Sequence, residues 1–391
     1  VDKPWLSGKK SKSRLVTDII PLIGLAAGLA IVAVYAYTGW AKYDTAKFCP
    51  VWTEDFSGGL DPNVWQREVQ IGGFGNGQFE YATDDEANSH VKDGMLYITP
   101  TVGEPWEDGA TLNLTSQGIC TATGDLTDLD KNCYAIQNVT GGEYIPVVRS
   151  ARLTTRLSKS MKYGKLEIRA KLPVGDWIWP AIWMMPKDSV YGAWPASGEI
   201  DIVESRGNGH DYFVYQGDPK DNKRFPAGNN AIGSTLHWGG DTASNKFYMT
   251  TNGYHYPSAI NGLTDAFHTY GMEWTPNGIR IYVDKQLTRV VYFSFPKQGF
   301  WSWGNFATNI VNPWFGGTKA SPFDQEFYLI LNVAIGGTNG YFADNVNEKP
   351  WTNGLKRGQA LNSFQRANET WLPTWKQPSL IVDSVKMWEI C

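Results

Sequence analysis

The stretch that decides the fold is "WPASGEIDIVESRGN", residues 194–208, in which three acids stand among β-branched residues. Alternation of apolar and polar residues is typical of a half-buried β-strand, whose successive side chains point to opposite faces. Glu199 and Asp201 therefore share one face. Glu204 follows Glu199 by five positions, so a regular strand would turn it into the core. An unpaired carboxylate is costly there.

A β-bulge near Val203 would remove this conflict, because the alternation restarts after the extra residue. Glu204 would then share the face of Glu199 and Asp201. At about 3.3 Å per residue, the Cα atoms of the two glutamates would lie roughly 13 Å apart, leaving on the order of 5–6 Å between the carboxyls. This separation favours a retaining glycosidase over an inverting one. An ordinary exposed acidic strand is the alternative.

Asp201 lies between the two glutamates on the same face. Three close carboxylates do not all ionise cheaply, so the pKa of at least one should rise. We expect Asp201 to carry a proton and to hydrogen-bond Glu199, which would orient that carboxylate.

Beyond this stretch, many short apolar and aromatic runs are broken by turn residues, as in "YGKLEIRAKLP" and "FYLILNVAIGG". This pattern predicts an all-β fold, a sandwich of two antiparallel sheets. Aromatic residues make up 14% of the chain, with 18 Trp; they fit a β-rich core and also a groove that stacks on sugar rings. The net charge of −4, without blocks of like charge in this part, gives no indication of a nucleic-acid partner.

The N-terminal segment has the pattern of a membrane anchor. The basic run "KKSKSR" precedes an uncharged run over residues 19–41. About 20 apolar residues span a bilayer, and flanking basic residues tend to stay cytoplasmic. We predict a cytoplasmic tail (1–18), a transmembrane signal anchor (19–41) and an exported domain (43–391) of a single-pass type II membrane protein, lumenal or extracellular. A cleaved signal peptide is the alternative, although its apolar region is typically shorter.

The cysteines form no CxxC pair and no cluster with histidine, so zinc is not expected. In an exported domain, an even number of cysteines suggests disulfides. Of three pairings, we favour Cys120 with Cys133, which closes a polar loop, and Cys49 with Cys391, which joins the first strand to the end of the chain. Free buried thiols are the alternative. Three sequons agree with export and predict N-glycosylation: Asn113, Asn138 and Asn368.

"GEIDIVE" resembles the signature of glycoside hydrolase family sixteen in its bulged, laminarinase-like form. Five further segments resemble the family in family order: "VQIGGFGNGQFEYAT", "LPVGDWIWPAIWMMP", "STLHWGG", "FHTYGMEWTPNGIRIYVD" and "FYLILNVAIGGTNGYF". The resemblance covers about residues 51–389. It implies a β-jelly roll with an open concave glucan cleft. Together with the membrane span, it is similar to fungal type II membrane proteins that build or remodel cell-wall β-glucan.

The resemblance also implies catalytic roles by position. Glu199 would be the nucleophile, Glu204 the acid/base, and Asp201 would assist Glu199. This chemistry needs no cofactor and no metal. Many family members bind a structural calcium, for which Glu54 and Asp383 are the candidate ligands here.

Four residues are expected to bind substrate: Asn76, Trp194, His237 and Trp238. Trp194 would stack on a glucose ring near the scissile bond, and the pair of His237 and Trp238 would line the cleft. Asn76 matches an asparagine of the N-terminal family segment, although residues 78–80 depart from the usual pattern. We expect Trp183 to lie in the core.

The function predicted from these residues is retaining, endo-acting hydrolysis of β-glucan with β-1,3 or mixed β-1,3/1,4 linkages, by a monomeric catalytic domain. One alternative is a β-glucan transglycosylase, which would use the same two glutamates. The other is a non-catalytic β-glucan recognition protein; relatives of that kind typically lose one or both glutamates. This chain keeps all three acids.

Overall fold

The computed structural model describes Lys3 and residues 12–41, 46–215, 223–256, 262–285 and 288–391. Contacts divide the chain into two units, Val1–Lys47 and Phe48–Cys391. The first unit contains helix α1 (Lys12–Ala41). Within it, the 23 residues Val16–Thr38 have a mean hydropathy of 2.4 and are long and apolar enough to cross a membrane, as a signal sequence also is. Lys9 and Lys10 of the predicted basic tail lie outside the described residues.

In the second unit, the described residues form four helices and 23 strands. The helices are α2 (Leu126–Cys133), α3 (Gly299–Gly304), α4 (Arg357–Arg366) and α5 (Asn368–Trp371). The strands are β1 (Phe48–Glu54), β2 (Gln66–Arg67), β3 (Glu80–Ala82), β4 (Ser89–Lys92), β5 (Met95–Ile98), β6 (Thr101–Val102), β7 (Thr111–Asn113), β8 (Tyr134–Ile136), β9 (Val148–Ser150), β10 (Arg152–Thr154), β11 (Ser160–Met161), β12 (Gly164–Lys171), β13 (Ile178–Pro186), β14 (Glu199–Ser205), β15 (Phe213–Tyr215), β16 (Arg224–Pro226), β17 (Ala231–His237), β18 (Thr251–His255), β19 (His268–Thr275), β20 (Gly278–Val283), β21 (Arg289–Ser294), β22 (Phe327–Ile335) and β23 (Leu380–Ile390).

Two eight-stranded antiparallel sheets carry the architecture. Sheet 1 has the order β21-β20-β19-β12-β23-β5-β4, with β1 paired to β23. Sheet 2 has the order β18-β17-β14-β13-β22-β10-β2, with β11 paired to β22. Smaller sheets join β3, β9 and β6, β7 with β8, and β15 with β16. The predicted all-β jelly-roll sandwich is confirmed.

The core lies between the two sheets. Along β12, buried residues such as Leu166 and Ile168 alternate with more exposed ones such as Glu167 and Arg169, as expected for a strand with one face on the core. β22 is buried along its whole length. Residues of both sheets, including Leu166 of sheet 1 and Ile200 of sheet 2, belong to one hydrophobic cluster. This cluster supports β14, the strand that carries the three acids.

Both predicted disulfides are present. Cys49 is bonded to Cys391, 342 positions further on, and Cys120 to Cys133, 13 positions further on. The first bond lies where β1 pairs with β23. The second bond lies in a smaller hydrophobic cluster, separate from the main core, that also contains Leu114.

The three sequon asparagines differ in exposure. Asn368 is exposed, whereas Asn113 and Asn138 are half-buried. Both half-buried amides accept a backbone N–H, that of Ser116 at 2.9 Å and that of Gly141 at 2.8 Å. Glycosylation at the three positions stays a prediction.

Candidate functional site

A β-bulge lies in the strand that carries the acids. On β17 a single residue, Ser234, stands opposite both Ile202 and Val203. The hydroxyl of Ser234 donates to the carbonyl of Ile202 at 2.6 Å, and both bulge residues are fully buried. The register of β14 against β13 shifts at the same place. Glu204 is consequently half-buried rather than turned into the core, and the predicted bulge is confirmed.

Glu199 accepts a hydrogen bond from one indole and lies beside a histidine. Trp194 donates its indole Nε1–H to Oε2 of Glu199 at 2.6 Å, and its ring is 38% exposed. His237 stands opposite Glu199 on β17, with Nε2 3.9 Å from Oε1. The indole hydrogen bond holds the Glu199 carboxylate in one orientation. This environment suits a nucleophile.

Asp201 lies deeper than Glu199, with 2% of its surface exposed. Burial raises the pKa of Asp201 well above its usual range, and the charges of Glu199 and Glu204 raise it further. Its hydrogen bond with Glu199 acts in the same direction, because a protonated Asp201 donates to that carboxylate. The raised pKa favours a protonated Asp201, and its role beside Glu199 stays a prediction.

Glu204 has a different environment. Trp179 donates Nε1–H to its Oε1 at 3.1 Å. Burial raises the pKa of Glu204, and the charge of Glu199 adds to this, while the charges of His237 and Arg206 and the Trp179 hydrogen bond lower it. A carboxyl whose pKa is raised keeps its proton to higher pH and can serve as a general acid. Glu204 fits the acid.

A stack of three side chains ends on Glu204. The ring of Trp179 stacks on Tyr341, with centroids 4.0 Å apart. The guanidinium of Arg206 lies over the Tyr341 ring at 3.9 Å and donates to the Tyr341 carbonyl. Because each member is held by the next, the indole N–H that meets Glu204 has little freedom to turn away.

Two expectations about tryptophans are wrong. Trp238 does not line a cleft: it is fully buried, donates Nε1–H to Thr250 at 2.8 Å and stacks on Trp303. It follows His237, so the alternation along the chain turns it to the core side. Trp183, expected in the core, is half-buried. It pairs with Asp201 across β13 and β14, and paired residues share a face.

Asn76 lies at one end of the site and contacts none of the three acids. Its side chain accepts the amide of Asn339 at 3.2 Å, and its carbonyl accepts the N–H of Thr338 at 3.1 Å. Asn339 in turn accepts the N–H of Tyr341. Asn76 therefore belongs to the loops that hold the Arg206 stack, and its contact with substrate stays a prediction.

Sequence reasoning missed three residues of the site, Arg206, Tyr341 and Asn245, and left Trp179 open between core and cleft. Arg206 lies in the quoted acidic stretch, two positions after Glu204, and Tyr341 lies in the family-like segment "GGTNGYF". Their positions in those segments could have identified both residues. The sequence contains no such signal for Asn245, because a loop residue that forms a hydrogen bond follows no periodic pattern.

The two candidate calcium ligands already have protein partners. The carboxylate of Glu54 accepts the N–H of Phe56 at 2.9 Å and the indole of Trp65 at 3.3 Å. Asp383 lies 3.1 Å from the guanidinium of Arg169. Calcium takes six to eight oxygen ligands, and side chains already bonded to N–H donors and a cation do not fit it. Calcium binding stays a prediction that these two residues do not support.

Comparison with known proteins identifies relatives along most of the chain. Residues 145–325 match the profile of Glycosyl hydrolases family 16. A β-1,3-glucan-binding protein of Penaeus monodon is 36% identical over 356 residues, 88% of this chain and 90% of the relative. A glucan endo-1,3-β-glucosidase of Cryptopygus antarcticus is 31% identical over 315 residues, 80% of this chain and 88% of the relative.

A solved structure has the same architecture. It is the catalytic domain of an endo-1,3-β-glucanase (laminarinase) from Thermotoga petrophila RKU-1. The TM-score is 0.53 at 25% sequence identity, and the match covers 88% of this chain and 99% of that chain. The three relatives are thus named for binding β-1,3-glucan or for cutting it.

Proposed function

Because the chain belongs to glycosyl hydrolase family 16, we propose that it is a retaining, endo-acting β-1,3-glucan hydrolase. Glu199 is the nucleophile and Glu204 the acid/base. The observation that carries the proposal is the bulge, which keeps both glutamates out of the core. Each glutamate accepts a hydrogen bond from a different tryptophan, Glu199 from Trp194 and Glu204 from Trp179.

The reaction proceeds in two steps. In the first, Glu204 gives its proton to the glycosidic oxygen while the Glu199 carboxylate attacks the anomeric carbon, which breaks the bond to the leaving sugar and forms a glycosyl-enzyme. In the second, Glu204, now ionised, takes a proton from water as the water oxygen attacks the same carbon and releases Glu199. The protonated Asp201 holds Glu199 by a hydrogen bond, first as the free carboxylate and then as the ester of the glycosyl-enzyme.

The substrate is proposed to lie along aromatic side chains on the outer face of sheet 2. The exposed ring of Trp194 lies beside His237, with ring centroids 5.5 Å apart. Phe247 continues this surface, stacked on His237 at 5.3 Å. Flat apolar rings suit the faces of pyranose sugars. The names of the relatives support a β-1,3-linked glucan as the polymer.

The name of the Penaeus monodon relative favours a second candidate, binding of β-1,3-glucan without cleavage. Transfer of the glycosyl group to a sugar hydroxyl instead of water is a third outcome of the same chemistry. The presence of all three acids and their separate donors supports catalysis over binding alone.

One experiment separates these functions. The full chain in detergent micelles is incubated with a soluble β-1,3-glucan, with and without excess acceptor oligosaccharide, and the products are measured by mass spectrometry and time-resolved proton NMR. Internal cleavage with the β-anomer released first supports the proposal, and the α-anomer first contradicts retention. Products longer than the substrate indicate transglycosylation. Binding without any product indicates a recognition protein, and a β-1,4-glucan serves as the linkage control.

We further propose that α1 is a signal anchor that places the second unit in the lumen or outside the cell. Its length and mean hydropathy support this, as do the two disulfides, which persist in oxidising compartments. Protease protection of the domain in sealed microsomes tests the orientation. Digestion of the domain by protease added outside the microsomes would contradict it.

A further inference from the structure

We propose that Asn245 is a positioning residue that holds His237 as the neutral tautomer with its proton on Nε2. His237 then presents a neutral hydrogen-bond donor to the acids of β14. The tautomer follows from the hydrogen bonds alone, whereas its effect on turnover rests on the proposed hydrolase function.

The orientation of the Asn245 amide is fixed by its backbone partners. Its Oδ1 accepts two N–H groups, that of Trp238 at 3.3 Å and that of Phe247 at 3.2 Å. Oxygen must face these donors, so Nδ2 faces the other way, 2.9 Å from Nδ1 of His237. An amide nitrogen donates and does not accept. Nδ1 of His237 therefore keeps its lone pair, and the proton of the neutral ring lies on Nε2.

The surroundings of Nε2 give an independent reason for a proton at that atom. Nε2 lies 3.2 Å from Oδ2 of Asp201 and 3.9 Å from Oε1 of Glu199. Oδ2 of Asp201 is buried, and no residue that the structure describes forms a hydrogen bond with it. A buried acceptor without a donor is costly. The Nε2–H of His237 is a donor within its reach.

The loop after β17 is built to bring Asn245 back beside His237. A Cβ on Gly239 would lie 2.8 Å from the carbonyl oxygen of Ser244 and 2.9 Å from Cα of Asn245, so the close return of the chain requires glycine there. Asp241 caps the 3₁₀ turn Thr242–Ser244 that leads into Asn245. The carbonyl of the buried Trp238 accepts the N–H of Lys246 at 2.8 Å. Trp238 thus anchors the loop from the core.

A neutral donor has two consequences for the site. A neutral His237 leaves the negative charge of Glu199 in place for attack on carbon. A positively charged imidazolium would instead favour loss of the proton from Asp201. The proton of the neutral ring also occupies Nε2. The ligand atoms of Glu199, Asp201 and His237 lie within 4.8 Å of one another, an arrangement that could hold a metal ion. A metal needs the imidazole lone pair that the Nε2 proton removes.

The test is ¹⁵N NMR of the full chain in detergent micelles, with labelled histidine side chains. The chain has five histidines, and His237→Gln assigns the signal. Near neutral pH we expect a neutral His237 ring with protonated Nε2 and bare Nδ1. Asn245→Asp keeps an oxygen acceptor for the two backbone N–H groups, so the loop persists. Its carboxylate attracts a proton to Nδ1, and His237 should become doubly protonated.

Asp241→Asn is the matched control, because asparagine also caps a helical turn and the change alters charge in the same loop without touching His237. It should leave the His237 signals as in the wild type. In kinetics on β-1,3-glucan, Asn245→Asp should lower kcat about tenfold or more with KM within about twofold, as expected for a group that acts on the reacting acids.

Three results would overturn the inference: a proton on Nδ1 in the wild type, a doubly protonated wild-type ring near neutral pH, or unchanged His237 signals in Asn245→Asp. Unchanged kcat in that variant, with the NMR change present, would refute the positioning role. The NMR measurement needs no turnover. A chain with the expected tautomer but no cleavage of any β-glucan would therefore refute the proposed function and leave the tautomer assignment standing.

Discussion

The outer faces of the two sheets both carry acids, but the partners of those acids differ. On sheet 1, Glu167 lies 2.7 Å from Nζ of Lys165, and Glu273 lies 2.7 Å from the guanidinium of Arg280 on the neighbouring strand. On sheet 2, none of the three acids of β14 forms an ion pair with Lys or Arg within the described part of the chain. Their partners are two indoles, an imidazole and one another.

The difference teaches what makes a buried acid reactive in this fold. An adjacent cation neutralises a carboxylate and stabilises its ionised form. Neutral donors orient a carboxylate but leave its net charge unchanged. Without an ion pair to Lys or Arg, burial and the neighbouring carboxylates raise the pKa values of Asp201 and Glu204, although the charges of His237 and Arg206 lower that of Glu204. The outer face of sheet 2 thus keeps protons and charge available for chemistry, and that of sheet 1 does not.

Replacing one acid on each face should give the largest contrast. Glu199→Gln should lower kcat/KM on β-1,3-glucan by about 10⁴-fold or more, because the nucleophile is lost. The matched change Glu167→Gln should leave the rate within about twofold and cost at most about 1 kcal/mol of stability, as for other paired surface charges. Reducing-end assays and thermal unfolding measure the two effects. Equal losses of activity in both variants would refute the contrast.

Glu80 sharpens the comparison because it is a buried acid on neither outer face. It is 3% exposed, accepts the N–H of Ile335 at 2.8 Å, and burial raises its pKa to about 7. The folded state keeps this proton up to that pH, whereas the unfolded chain releases it near the ordinary value of 4.5. Stability should therefore fall as the pH rises through this window.

The measurement is chemical unfolding of wild type and Glu80→Gln at several pH values. Relative to the variant, the unfolding free energy of the wild type should decrease by up to about 3 kcal/mol between the two pKa values, since one pKa unit corresponds to about 1.4 kcal/mol. Parallel pH curves would show that Glu80 does not hold its proton in the fold.

Substitutions of Asp201 test whether a proton or a negative charge is needed between the two glutamates. An asparagine keeps a donor toward Glu199 and carries no charge, so Asp201→Asn should lose less than about tenfold in kcat, whereas Asp201→Ala should lose about 10²-fold. Steady-state kinetics of both variants decide the matter. Similar large losses in the two would indicate that ionised Asp201 is required.

Trp179→Phe should give the smallest effect, a few-fold loss in kcat with a shift in the pH profile. The indole hydrogen bond lowers the pKa of Glu204. Without it, the pKa rises, Glu204 stays protonated to higher pH, and the basic limb of kcat/KM should move upward. Other titratable or charged groups near Glu204 stay in place: Glu199, Asp201, His237 and Arg206. Trp183→Phe is the control, since its indole bonds to Asn332. A basic limb unchanged in Trp179→Phe would contradict this assignment.

Much of the fold and the centre of the site followed from periodicity. Strand alternation predicted the sandwich, and the one break in alternation, between Asp201 and Glu204, predicted the bulge. Alternation failed at Trp183, where the register across the bulge decides the face. The expectation for Trp238 was wrong for the opposite reason: alternation itself turns Trp238 into the core, because its neighbour His237 faces the acids.

The surroundings of the acids were harder to predict. Arg206 and Tyr341 meet from segments 135 positions apart, and Asn245 reaches His237 through a loop that carries no repeating pattern. Contacts of this kind depend on how the chain returns in three dimensions, which the spacing of residues along a strand does not contain. Strand periodicity thus locates the acids but not the donors that direct them.

The bond between Cys49 and Cys391 makes the second unit a covalent ring. One cut in the backbone anywhere between these residues opens the ring into a linear molecule with new ends, without releasing a fragment. Two cuts are needed for release, and even two cuts release nothing when only one of them falls between Cys120 and Cys133, because that disulfide still joins the two pieces. A single proteolytic cut within this ring therefore leaves one covalent molecule.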